Sequence, residues 1–442
     1  MRKAILLLLS LTGILAACSP QAAIPGESEV ATIVAATLSA ADAAPALPPD
    51  SPAALDPPPA ETAHALELVL AYTFDGNLWT MVADSAPVQR TNSGDITSVL
   101  LSDDGTCIIY IRSHESTGTE LHAFDLDTGV DRVLLNQAAI DSLYPPEPGA
   151  YLHLDTANLI FAPGSRQLFF STRYEFDGPG SRPNNDLFII NADSGESRML
   201  LAQNEGGLIF LAPDGAVMAI TSPTSLRFAR LDGSPLGSAR ISFEPVMTYS
   251  EYAYFPHAIW TPDSQSVYTL IPSPDPMAPD ASGTVWRIPS ADLPPESVQT
   301  IPGGLFMLDA FGSSWIEPTG ENIAILETSG IGNDRALSIT PLAGGATTLI
   351  AEGTLEWEGW SPDGEFFSYS TLGDDAALIL TSTDGSREVV PAGRRLIWLD
   401  GSAVVLTGER GNWSILQRSL DGSTHLLAEL ATDWTAFDAV LR

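Results

Sequence analysis

The six histidines of this chain, His64, His114, His122, His153, His257 and His425, form no H-x-x-x-H or H-E-x-x-H pair. Those spacings put two imidazoles on one helical face, where they can hold zinc. His153-Leu154-Asp155 would set an imidazole and a carboxylate on one face of a strand. A lone pair of that kind is commonplace, and it reads as strand rather than metal site. Asp125-Leu126-Asp127-Thr128-Gly129 has the look of a calcium loop but lacks the twelve-residue ligand spacing, so it reads as a hairpin turn. No G-x-S-x-G elbow presents a serine nucleophile. The only lysine is Lys3, which leaves no phosphate-binding, Schiff-base or general-base lysine in the rest of the chain. Cys107 opens the apolar run Cys107-Ile108-Ile109-Tyr110 and reads as a buried, inert thiol. These residues predict no metal, no cofactor and no catalysis.

The chain has 442 residues, of which 44% are apolar and 17% charged. That is ample for a packed core and too apolar for a disordered protein. Fifty-five acidic residues against 20 basic ones give a formal net charge of -35. Such a field repels phosphate backbones and anionic lipid, and it excludes nucleic acid as a partner. Thirty-four prolines and 36 glycines imply many turns.

Met1-Arg2-Lys3 is a short basic segment, and residues 4–14 are an apolar stretch too short to span a bilayer. Leu15-Ala16-Ala17-Cys18 follows. This order resembles the lipobox of bacterial lipoproteins. The resemblance implies that the signal is removed after residue 17 and that the Cys18 thiol carries the lipid. Cys107 would then have no disulfide partner. It also implies an extracytoplasmic chain anchored to the cell membrane, or to an outer membrane where the host has one. Residues 18–64 read as a tether, because Asp56-Pro57-Pro58-Pro59-Ala60 and similar Ala/Pro-rich runs cannot bury a core.

From residue 65 to 442 a repeat governs the chain. One half of the unit is an apolar stretch, a Pro/Asp/Gly turn and a second stretch, as in Phe210-Leu211-Ala212-Pro213-Asp214-Gly215 and Gly359-Trp360-Ser361-Pro362-Asp363-Gly364. The other half is a second hairpin ending in turns such as Leu420-Asp421-Gly422-Ser423. Pro-Asp-Gly and Asp-Gly-Ser supply the fixed φ and the φ > 0 positions that tight turns need. Short apolar strands with evenly spaced turns predict repeated four-stranded antiparallel sheets. The second hairpin occurs eight times, but the first copy (Leu78 to Asp84) lacks its preceding half. The only strand left to partner it lies at residues 435–441. The chain is therefore expected to be an all-β propeller of eight blades of about 47 residues, with seven as the alternative count, its ring closed by the C-terminal strand.

Ser361-Pro362-Asp363-Gly364 followed by Phe366-Phe367-Ser368-Tyr369-Ser370 resembles the repeat of the TolB-like propellers, which are related in architecture to WD-repeat proteins. The resemblance covers nearly all of 65–442 and implies a fold, not an activity. TolB carries an additional α/β domain before its propeller. Here a Pro-rich tether stands in that place, so the role of TolB is not carried over. Enzymatic propellers carry other marks. Prolyl-oligopeptidase relatives add a hydrolase domain, and sialidases carry S-x-D-x-G-x-T-W boxes, of which Ser419-Leu420-Asp421-Gly422-Ser423 has only the start.

Four insertions, at residues 136–157, 174–185, 245–257 and 272–283, fall in connections expected to share one face of the ring. They carry Tyr144, Tyr151, Tyr174, Phe176, Tyr249, Tyr252, Tyr254 and Phe255. Aromatic side chains on loops are typical anchors of an interface. The expectation is a non-catalytic scaffold that binds an envelope or extracellular protein, or a glycan, through this face. A propeller that holds or senses a small ligand is the alternative, and a hydrolase of unrecognised kind comes third.

Overall fold

The computed structural model describes residues 66–442 except 115–117, 145–150, 177–180, 250–251, 276–277, 279, 304–314, 329–333, 374–375, 384–386 and 420–421. Cys18 and the tether lie outside the described residues, as does the lipobox. The compact unit runs from Ala65 to Arg442.

Eight antiparallel sheets follow one another as the blades of a propeller. Blade 2 (Ile96–Leu101, Cys107–His114, Gly118–Asp125, Asp131–Leu135) shows the plan, an inner strand followed by three others in chain order. Blade 3 (Tyr151–Phe161, Gln167–Phe176, Leu187–Asn191, Ser197–Leu201) gains a fifth short strand, Ser181–Pro183. In blade 6 the described part of the inner strand is Trp315 and Ile316, of which Ile316 meets Ile323 in an isolated bridge. Blade 1 takes its inner strand from the C-terminus: Phe437–Leu441 pairs with Leu68–Phe74, from Leu68↔Leu441 to Tyr72↔Phe437. Thr435 Oγ1 donates to the Thr73 carbonyl (2.7 Å), and Thr73 Oγ1 accepts from Ala436 N (2.8 Å), so the seam is also clasped by side chains.

Each sheet is buried on both faces, which is why its strands read as continuous apolar runs. In blade 2, Cys107 and Ile109 pack toward blade 3, while Ile108 and Tyr110 pack toward blade 1. In blade 4 (Leu208–Leu211, Val217–Ser222, Ser225–Arg230, Ile241–Ser242), Met218 and Ile220 face blade 3 and Ala219 faces the next blade. Period-two alternation thus feeds two cores rather than one core and solvent. Around the ring, core clusters join every blade to the next, and Leu68, Leu70 and Tyr72 close the circle against Val404, Leu406 and Ile415 of blade 8.

The turns from first to second strand in blades 2, 5 and 7 share one device. In blade 7, Phe366 N donates to Ser361 Oγ (2.9 Å) and Glu365 N to Asp363 Oδ1 (2.9 Å). Thr261 and Asp263 do the same in blade 5, and Ser102 and Asp104 in blade 2. The residue after the aspartate is left-handed, glycine at Gly105 and Gly364 but serine at Ser264 (φ 59°).

Two tryptophans stitch neighbouring blades. Trp260 Nε1 donates to the Phe210 carbonyl (2.9 Å) and Trp360 Nε1 to the Trp315 carbonyl (3.0 Å), one repeat back in each case. Cys107 is 1% exposed, and burial pushes its thiol up to about 11. The thiol is therefore inert at neutral pH.

Candidate functional site

The strand order places connections from second to third strand and connections between blades on one face of the ring. All four insertions belong to these two classes. The connection between blades 5 and 6, which contains residues 304–314, is a fifth of the same class. On the opposite face one connection is also long, residues 231–240 in blade 4.

The insertions are less loop-like than the sequence suggested. Tyr151–Phe161 and Gln167–Phe176 run as one long hairpin, with Tyr151↔Phe176, Leu154↔Tyr174 and Thr156↔Thr172 in register. Tyr151, Tyr174 and Phe176 therefore sit on strands. Before this hairpin, Asn136 caps a short helix, Gln137–Asp141, by accepting from Ala139 N (2.9 Å). Asp141 Oδ1 then accepts from Leu154 N (3.0 Å) and ties the helix to the hairpin.

Five of the eight aromatic residues have described side chains. Tyr174 is buried, and the Arg182 guanidinium lies 4.9 Å from its ring centre. Tyr254 is 1% exposed and donates its hydroxyl to the Leu270 carbonyl (2.8 Å). These two roots of the insertions offer no surface to a partner, which corrects the expectation for them. Tyr144 is half-buried against Phe188. Burial and then the Asp186 carboxylate raise the pKa of its hydroxyl. Phe176 is exposed, and Phe255 is half-buried. Tyr249 and Tyr252 pair in the hairpin Met247–Tyr249, Tyr252–Ala253, and Val246 and Tyr254 close its base.

A cleft of about 210 Å³ opens on this face between blades 3 and 4. Asn158, Ser171, Pro183 and Asn185 come from blade 3, Gly207 and Leu208 from the start of blade 4, and Ala253, Phe255 and His257 from the insertion. Asn158 and Asn185 have φ of 51° and 50°, a left-handed conformation that asparagine tolerates better than other side chains. Asn158 Nδ2 donates to Ser171 Oγ (2.8 Å). A Cβ on Gly207 would lie 1.8 Å from the Thr221 carbonyl, so only glycine lets the chain pass under the cleft. His257 packs against Phe210 with ring centres 5.4 Å apart, and burial pushes its pKa down. Of this lining the sequence singled out only Phe255, since the residues come from five separated segments and only His257 is of a type that announces chemistry.

Blade 2 carries a second polar cluster. Arg112 Nε meets Asp95 Oδ1 (2.9 Å) and its Nη1 meets Glu120 Oε2 (3.2 Å), while His114 Nε2 lies 2.5 Å from Asp95 Oδ2. Buried His122 stands between Glu120 (3.2 Å) and Asp131 (3.3 Å), and Tyr110 donates to Asp131 Oδ2 (2.7 Å). Burial works to raise both aspartates, but Arg112 and Ser93 outweigh it at Asp95, and His122 and Tyr110 outweigh it at Asp131, so both stay below the ordinary carboxylate range. These charged groups pair with one another and with Ser93 and Tyr110, and the ladder reads as a structural network.

The Asp125 segment is a turn: Asp125 Oδ1 accepts from Thr128 N (2.8 Å), and Oδ2 pairs with Arg166 Nη1 (3.0 Å). Asp155 of the His153-Leu154-Asp155 pair lies 3.6 Å from Arg173 Nη2. Among the described residues, no group of three His, Cys, Asp or Glu side chains could hold a metal ion.

No protein-family model matches the chain, and no curated protein matches it in sequence. Solved structures do resemble it. A eukaryotic initiation factor is similar over 85% of this chain and 98% of that one, with 12% identity and a TM-score of 0.50. A prolyl endopeptidase is similar over 78% of this chain and 50% of that one, with 14% identity and a TM-score of 0.48. TolB from Acinetobacter baumannii is similar over 74% of this chain and 81% of that one, with 14% identity and a TM-score of 0.33. At such identities the likeness concerns the fold and carries no activity across.

Proposed function

We propose that this chain is an extracytoplasmic β-propeller held at a membrane by lipid on Cys18, and that it works as a non-catalytic scaffold taking a protein or glycan partner on its insertion face. The observation that supports this reading is the gathering of the insertions of blades 3 to 5 on one face, with exposed Phe176 and Met247 among them. Repeat rings that carry function on loops concentrate them in this way.

The experiment is affinity capture from envelope extract. The bait is residues 65–442, beside a copy in which residues 247–253 are replaced by a short Gly/Ser turn. Tyr254 N donates to the Val246 carbonyl (2.8 Å) at the base of that hairpin, so the replacement leaves the root in place. A partner held by the first bait and lost by the second is the expected result. Capture of the same partners by both baits would refute the face assigned here.

A further inference from the structure

The cleft between blades 3 and 4 has a lining that selects for one kind of ligand. Among the described residues, no Asp, Glu, Arg or Lys borders it, so no described side chain there balances a formal charge on a ligand. The chain as a whole carries -35, which also disfavours an anion. What remains is two primary amides (Asn158, Asn185), one hydroxyl (Ser171) and one imidazole (His257), with Pro183, Leu208, Ala253 and Phe255 as apolar surface. Amides and imidazole both donate and accept, and that pattern suits adjacent hydroxyl groups, which also do both. An aromatic ring beside them offers a flat surface for the C–H face of a ring. The volume, about 210 Å³, falls below the roughly 300–1,000 Å³ of pockets for drug-sized molecules, and it corresponds to a single ring.

The lining is also fixed in advance. Asn185 accepts from Gly206 N through its carbonyl (2.6 Å), and a Cβ on Gly206 would lie 2.8 Å from that same oxygen. Asn158 sits where the register of the long hairpin shifts, between Ala157 and Ile160. His257 is held neutral at physiological pH by burial, which keeps its acceptor nitrogen available. A preformed site loses less on binding than one that must be ordered.

We propose that this cleft binds one neutral pyranose ring, either a residue of a glycan or a free glycoside. The proposal rests on the reading of the insertion face as a binding surface, and it names the ligand chemistry of that face.

The test uses the full propeller and the methyl glycosides of glucose, galactose, mannose and N-acetylglucosamine, followed by saturation-transfer NMR and calorimetry. Glucuronate and glucosamine serve as charged controls. Two variants keep the backbone: Asn185→Gly, which suits φ > 0, and Phe255→Leu, which retains apolar bulk without the flat ring. The expected result is that at least one neutral glycoside binds more tightly than both charged sugars. Each variant should weaken it about tenfold, with circular dichroism unchanged. Failure of every neutral glycoside to bind, equal or tighter binding of a charged sugar, or binding indifferent to both variants would each overturn the proposal. The capture experiment separates the two levels. A protein partner lost with residues 247–253 while no glycoside binds would sink the cleft and leave the scaffold reading standing.

Discussion

Replacing Trp360 and Trp398 with phenylalanine should have different costs, although the two occupy equivalent places in successive repeats. Trp360 is 7% exposed, donates to the Trp315 carbonyl and meets Phe367 edge-on with ring centres 5.2 Å apart. The Trp315 carbonyl also accepts from Ala324 N (2.8 Å), so Trp360→Phe loses one hydrogen bond without orphaning its acceptor. That loss is worth about 1 kcal/mol, and the missing indole surface adds about 1 kcal/mol more. Trp398 has a buried Nε1 with no partner. The corresponding carbonyl one repeat back, Gly359, instead accepts from Ser368 Oγ (3.4 Å). Trp398→Phe therefore removes an unsatisfied donor, which offsets roughly the 1 kcal/mol of lost surface. The expected gap between the variants is about 2 kcal/mol, close to thirtyfold in the unfolding equilibrium. Guanidinium denaturation followed by far-ultraviolet circular dichroism reads it without relying on tryptophan emission. If Trp398→Phe cost as much as Trp360→Phe, the stitch between blades would contribute nothing beyond packing.

Two carboxylate populations should pull stability in opposite directions with pH. Asp95 and Asp131, held below their ordinary range, stabilise the fold at neutral pH and lose that contribution as pH falls through the carboxylate range. Glu358 is raised by burial and by Glu356, so its contribution is full at low pH and disappears as pH rises through its raised pKa. Glu358→Gln keeps an acceptor for Ser370 Oγ (2.6 Å) and should raise the denaturation midpoint at about pH 7.5 but not at about pH 4, where a gain at both would contradict this. Cys18→Ser in the full chain should move the protein from the membrane fraction to the soluble one, and unchanged partition would refute the lipid anchor.

The propeller was legible because its rules are local and repeated. Each Ser/Thr-Pro-Asp-Gly turn marks one hairpin, and the unpaired first hairpin required the strand at Phe437–Leu441. What escaped was whatever breaks the period. The extension of blade 3 through Tyr151–Phe161 has no counterpart among the described residues of other blades, so its aromatics looked like loop residues. Tyr254 gave the same signal as an exposed anchor, and only its bond to Leu270 distinguishes a root from a tip. The cleft depends on φ > 0 at Asn158 and Asn185, which sequence does not announce as glycine would. Ser264 is the converse, a left-handed position where the repeat calls for glycine. Its hydroxyl explains the choice, since Ser264 Oγ accepts from Asp214 N of the preceding blade (3.0 Å).

The roots of the insertions bear on how such a surface could bind at all. Val246 and Tyr254 belong to the core cluster shared by blades 5, 6 and 7, while Leu143 and Tyr144 pack on the cluster between blades 2 and 3. Of these two segments, only the one that ends at His257 lines the cleft, through Ala253, Phe255 and His257. A segment rooted in a core can change at its tip without loosening the ring, whereas a change at its root costs stability first. The seam, by contrast, sits at blade 1, four blades from the insertion that ends at His257. Distance from the seam matters in a ring, because the closing strand is the one element whose pairing must be made last in sequence. The insertions that line the cleft thus lie away from the strands that make that pairing.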